Sequence, residues 1–144
     1  MNIGETMTKI ALISCTKRKQ EHTCPAIELY TKSPAFRFKL CYCRSIGVDK
    51  IFILSAKHYL LEPETIVSPY DETLKGKKKE YKLKWTNEVL KDLKNKTDIN
   101  EDEFIILAGV DYTKYLLDHL PHHHNPVKGL GSGKQLQFFK SYCD

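Results

Sequence analysis

Lys9-Ile10-Ala11-Leu12-Ile13-Ser14 is an apolar run of strand length, and two like it follow at Lys50 to Ser55 (KIFILS) and Glu103 to Ala108 (EFIILA). None alternates apolar with polar residues, so each is expected to be covered on both faces, the pattern of strands in a parallel sheet. Helices are expected over Pro34 to Ile46 (PAFRFKLCYCRSI), Lys77 to Lys96 and Asp111 to Leu120 (DYTKYLLDHL), and a last one over Gly133 to Tyr142. Strand and helix alternate, which predicts an α/β domain joined by right-handed crossovers. Pro126 to Lys128 reads either as a short fourth strand or as loop, so the small, mainly parallel sheet is expected to hold three to four strands.

A chain of 144 residues with 41% hydrophobic and 28% charged side chains builds one core, and a single domain over 1–144 is expected. Residues 1–7 read as an N-terminal extension ahead of the first strand. They carry neither the apolar segment of a signal peptide nor an Arg-rich transit pattern, and no stretch approaches the roughly 18 apolar residues of a membrane span. A soluble, cytoplasmic protein is expected.

Lys and Arg outnumber Asp and Glu by 23 to 18, a net charge of +5, which suits a polyanionic partner such as nucleic acid or a phosphorylated small molecule. The longest charge run, Lys75 to Lys84, reads as the solvated start of a helix or as a footprint for phosphates. Tyr81, Leu83, Trp85, Val89, Leu90 and Leu93 give that helix a face to bury. The five cysteines, Cys15, Cys24, Cys41, Cys43 and Cys143, are odd in number with no secretory signal, so free, buried thiols in a reducing compartment are expected. Cys41 and Cys43 point about 200° apart on their helix and make a poor joint metal site.

Ligands of open α/β sheets bind at the carboxyl ends of the strands, here the stretches after Ser14, Leu54 and Ala108. After the first strand, Ser14-Cys15-Thr16-Lys17-Arg18-Lys19 offers turn amides and cations that can receive a phosphate, or is a plain exposed basic loop. After the second come Ser55-Ala56-Lys57-His58-Tyr59-Leu60-Leu61-Glu62-Pro63 and then Ser68-Pro69-Tyr70-Asp71, a concentration of hydroxyl, ammonium, imidazole, phenol and carboxylate suited to proton transfer and stacking. Tyr59, Leu60 and Leu61 are expected to plug the core. Lys57 and His58 are catalytic candidates, and Asp71 is either a third or a turn residue. After the third strand, Gly109 permits a sharp turn, Asp111 is expected to cap the next helix, and Tyr112 either packs on the sheet or faces a ligand.

Two motifs carry less. Adjacent side chains of His122-His123-His124 diverge, with no further ligand at zinc spacing, so no metal is expected. Gly129-Leu130-Gly131-Ser132-Gly133-Lys134-Gln135 lacks the first glycine and the Ser or Thr of a phosphate loop, although Gly131 and Gly133 can still expose amides to an anion at the last helix. Residues 14–33 contain no glycine, which excludes a dinucleotide turn there, and no cofactor is expected.

In Ile13-Ser14-Cys15 with Lys17 and Lys19, Glu28-Leu29-Tyr30, Ser55-Ala56-Lys57-His58 with Leu60-Leu61, Pro69-Tyr70-Asp71, Gly109 and Gly129 to Gly133, the chain resembles a family of small phage and bacterial domains of unknown function. That family is distantly similar to the YaaA peroxide-stress proteins. The resemblance spans nearly the whole chain, and Ser-Ala-Lys-His followed by Leu-Leu is its most specific part. It implies a three-layer α/β/α fold akin to uracil-DNA glycosylases and action on bases or nucleosides. The water-activating and His-containing loop signatures of the well-known uracil glycosylases are missing, so their chemistry is not carried over.

Two functions are therefore expected as alternatives. In the first, an enzyme breaks or exchanges the N-glycosidic bond of a nucleobase in DNA or a nucleoside. Asp71 serves the sugar or water, Lys57 or His58 serves the departing base, Tyr70 or Tyr30 stacks on an extruded base, and the Ser14 to Lys19 turn holds a phosphate. Ser55, Gly109, Tyr112, Gly131 and Gly133 complete the expected binding residues. In the second, the same basic end binds nucleic acid or a nucleotide without turnover.

Overall fold

The structure, a computed structural model, describes residues 7–143. The expected N-terminal extension lies outside the described residues except for Met7. Strand β1 (Lys9–Ser14) is central in a five-stranded sheet, with β3 (Lys50–Ser55) and β6 (Glu103–Leu107) parallel on its two sides. Ile10, Ala11, Leu12 and Ile13 are all fully buried. Successive residues point to opposite faces of a sheet, so both faces of β1 are covered, as its unbroken apolarity predicts.

The sheet is larger than expected and not wholly parallel. Its edges are β4 (Tyr59–Leu61), antiparallel to β3, and β7 (His123–His124), parallel to β6. Of the two readings of Pro126 to Lys128, strand or loop, the structure has the loop: a turn in which the Asn125 side chain accepts the Val127 amide at 2.9 Å and Pro126 has no amide to give. A separate antiparallel pair, β2 (Cys24–Pro25) with β5 (Ile66–Val67), clasps the loops beside the sheet.

β4 escapes a sequence reading because its hairpin breaks the usual turn chemistry. Ala56, Lys57 and His58 form a three-residue loop between the paired Ser55 and Tyr59, and Tyr59 takes φ +63° where such loops normally place glycine. That backbone costs a tyrosine about 1–2 kcal/mol. Leu60 and Leu61 are buried as expected, but Tyr59 is not a core plug, since 40% of it is exposed.

Helix α1 (Ala26–Leu29) is a single turn, and α2 (Pro34–Ile46) is bounded by clear signals. Ser33 accepts the Phe36 amide, Pro34 opens the first turn, and Gly47 closes the last at φ +69°. Helix α3 (Lys79–Lys96) buries Trp85, Val89, Leu90 and Leu93, whereas Tyr81 and Leu83 of its expected apolar face are exposed.

The helix expected over Asp111 to Leu120 is broken. Helix α4 (Val110–Thr113) is followed by a 3-10 turn at Leu117–His119, whose tighter bonds bring Leu116 and Leu120 together into the core before Pro121.

Helix α5 (Ser132–Lys140) docks on α2 through Tyr42, Phe138, Phe139 and Tyr142, with Tyr42 and Tyr142 centroids 4.8 Å apart. Beside this cluster a disulfide joins Cys41 to Cys143. The expectation of five free thiols therefore holds for Cys15, Cys24 and Cys43 only. Among the described residues the architecture is thus α/β, with a mostly parallel five-stranded sheet and five α-helices. Among the described residues no helix is long and apolar enough to cross a membrane.

Candidate functional site

Ser55 ends β3 at zero exposure, and its hydroxyl is fully used. Its Oγ accepts the amides of His58 at 2.9 Å and Lys57 at 3.3 Å, which fixes the hairpin loop. With both lone pairs engaged, its proton goes to Tyr70 Oη at 2.7 Å. Tyr70 Oη lies 2.6 Å from Tyr30 Oη, and the Ser55 carbonyl accepts the Trp85 indole N–H at 2.9 Å. One buried serine thus ties the hairpin loop, the loop carrying Asp71, α1 and α3 into a hydrogen-bonded unit.

The cleft beside this unit, about 590 Å³, is lined by Cys15, Thr16, Lys17, Lys19, Asp71, Glu72, Thr73, Lys75, Asp111 and Tyr112. Three ammonium groups and three carboxylates share it. Cys15 Sγ lies 3.3 Å from Tyr112 Oη, and Tyr112 packs edge-on against Trp85. Lys19 Nζ stands 4.5 Å above the Tyr70 ring, a cation–π contact, and the His58 ring meets Tyr70 edge-to-face at 5.3 Å. Lys82 Nζ closes on Asp111 Oδ1 at 2.8 Å and joins α3 to α4 at the rim.

Burial sets the ionisation of this site. It lowers the Lys19 ammonium below its ordinary range, against the pull of Cys15 and Asp71. It lowers His58 too, helped by Lys57 and opposed by Glu72, so the imidazole is neutral near pH 7. Tyr30 is pushed up to about 12, chiefly by burial, and burial likewise raises Tyr70 and Tyr112. These phenols remain protonated hydrogen-bonding groups rather than bases.

A family model of unknown function, DUF6884, matches residues 10–141 and so spans nearly the whole fold, strand-end cleft included. The chain belongs to the DUF6884 family. No curated protein and no solved structure matches it.

In this DUF6884 chain the expected site residues divide into three groups. Cys15, Lys17, Lys19, Asp71 and Tyr112 line one cleft. Ser55, Tyr70 and His58 form its supporting wall, with Lys57 exposed on the same hairpin loop and Ser14 half-buried at the end of β1. Gly109 instead lines a second cavity, about 350 Å³, with Lys39, Asn125 and Gln135. Gly131 and Gly133 stand at the start of α5, the helix that contributes Gln135, and neither lines the Cys15 cleft.

Three expectations change in detail. Tyr30 is completely buried and cannot stack on a base, so it positions Tyr70. Asp111 makes no cap bond at α4 and binds Lys82 instead. Lys82, grouped by sequence with solvated lysines, is a partly buried rim residue.

Thr16, of the expected anion-receiving turn, and Lys75, of the run read as solvated or as a phosphate footprint, also line the cleft, as do Glu72 and Thr73, to which only their nearness to Asp71 in sequence pointed. The His run supplies β7, where His123 Nδ1 lies 2.6 Å from the Leu120 carbonyl oxygen. Among the described residues no group of three or more His, Cys, Asp or Glu side chains is arranged to hold a metal ion.

Proposed function

We propose that the chain processes nucleic acid or nucleosides by breaking or exchanging the N-glycosidic bond of a nucleobase, a modified one in DNA. The observation that carries this reading is one cleft at the strand ends that joins a carboxylate, Asp71, to Lys17, Lys19 and Lys75 and to the phenol of Tyr112. Hydrolysis breaks the bond from C1′ to the base nitrogen and makes one from C1′ to a water oxygen. Asp71 takes the water proton as positive charge develops on the sugar. His58, neutral at pH 7, or Lys57 hydrogen-bonds the departing base, and the water proton taken by Asp71 ends on the base nitrogen, so the products are the C1′ hydroxyl and the free base.

Lys19 covers one face of Tyr70. A base stacking there displaces the ammonium, and a flanking phosphate is the group that would draw it away. The sequence resemblance to a family distantly similar to the YaaA proteins, which implies a three-layer fold akin to uracil-DNA glycosylases, supports this reading. The test is mass-spectrometric detection of free base after incubation with single- and double-stranded DNA carrying normal and modified bases. Release of one base class is expected.

The alternative is a non-catalytic module that binds nucleic acid or a nucleotide, favoured by the cations at the cleft mouth. It predicts salt-sensitive binding with no base released from any substrate.

A further inference from the structure

On the other side of the Trp85–Tyr112 pair lies a separate open groove of about 440 Å³, lined by Tyr59, Tyr81, Lys84, Trp85, Asn87 and Glu88. Its two outer walls are aromatic and exposed, Tyr59 by 40% and Tyr81 by 46%. Tyr59 holds its place with a left-handed backbone that glycine would adopt freely. Local backbone strain of this kind persists at sites of function. Cations flank the aromatics: Lys77 Nζ stands 5.1 Å over the Tyr81 ring, and the exposed Lys84 lines the groove. The one carboxylate in the lining, Glu88, is paired with Lys91 at 3.6 Å.

We propose that this groove is a base-stacking subsite for single-stranded nucleic acid, in which Tyr59 and Tyr81 receive an unpaired base and Lys77 and Lys84 its flanking phosphates. Aromatic faces interleaved with lysines are the chemistry that holds single strands without sequence preference. Trp85 forms part of this groove and packs on Tyr112 of the central cleft, so the two sites are neighbours across one aromatic pair. The proposal rests on the nucleic-acid reading of that cleft and narrows its substrate from a free nucleoside to a strand.

The test is titration of a fluorescently labelled, unmodified oligothymidylate, single-stranded and as its duplex, against wild type, Tyr59→Gly and Tyr81→Ala, with thermal unfolding of each. Tyr59→Gly is expected to weaken binding about tenfold while its melting temperature holds or rises, and Tyr81→Ala to weaken it similarly. Unchanged affinity in Tyr59→Gly, or a wild type that binds duplex and single strand alike, overturns the subsite. Base release independent of Tyr59 would sink the subsite alone, whereas Tyr59-dependent binding without any base release would sink the glycosidic reading alone.

Discussion

Ser55 Oγ lies 2.7 Å from Tyr70 Oη while it accepts the Lys57 and His58 amides, so one hydroxyl couples the hairpin loop to the loop that carries Asp71. Ser55→Ala leaves two loop amides and one phenol short of a partner in a dry setting. A loss of about 1–3 kcal/mol in denaturant unfolding is expected. Ser55→Thr, which keeps the hydroxyl, should recover part of that stability.

High pH should unfold the protein through its buried phenols. Tyr30 has an ordinary value of 10.0 and is pushed up to about 12 by burial, and burial also raises Tyr70 and Tyr112. Between those values the unfolded chain has released the proton and the native chain has not. The stabilisation is therefore complete below pH 10 and is lost as pH rises towards 12. Tyrosinate absorbance of the buried set should appear together with loss of near-ultraviolet circular dichroism. Tyr30→Phe should flatten the alkaline limb of the stability curve.

Lys39 is mostly buried against Phe139, with its Nζ 6.0 Å from the ring centroid, and makes no ion pair among the described residues. Burial lowers its ammonium below the ordinary 10.5. Charging it therefore costs stability at neutral pH, a cost that fades as pH rises towards 10.5. Lys39→Met should raise the melting temperature by about 2–4 °C at pH 7, a gain of roughly 1 kcal/mol that shrinks at alkaline pH.

Cys41 and Cys143 close a loop with a sequence separation of 102 residues and fasten α5 to α2. Reductant or Cys143→Ser should destabilise the fold by up to about 4 kcal/mol, and Cys41→Ser should match it without adding to it. Thermal unfolding with and without reductant reads this directly, and identical curves would contradict the pairing.

The three central strands were legible because continuous apolarity marks strands buried on both faces. β4 was not, since Tyr59 fills a position whose turn chemistry calls for glycine. The Cys41–Cys143 pair was hidden by its long separation, because spacing alone does not dictate connectivity. At the site, the stretches after β1 and β3 pointed to Cys15, Lys19, Ser55 and Asp71. What a linear reading lacks is the third dimension: Tyr30 behind Tyr70, Lys82 reaching Asp111, and Gly109 turned to another cavity.

The glycosidic reading stands or falls on Asp71. The most direct measurement is single-turnover base release, followed by mass spectrometry on the best substrate of the panel, for wild type, Asp71→Asn and Lys57→Ala with melting temperatures matched to wild type. Losing the group that activates water should slow release by about 100-fold or more in Asp71→Asn, and Lys57→Ala should slow it less, since neutral His58 can still bond the base. Full activity in folded Asp71→Asn would contradict the assignment.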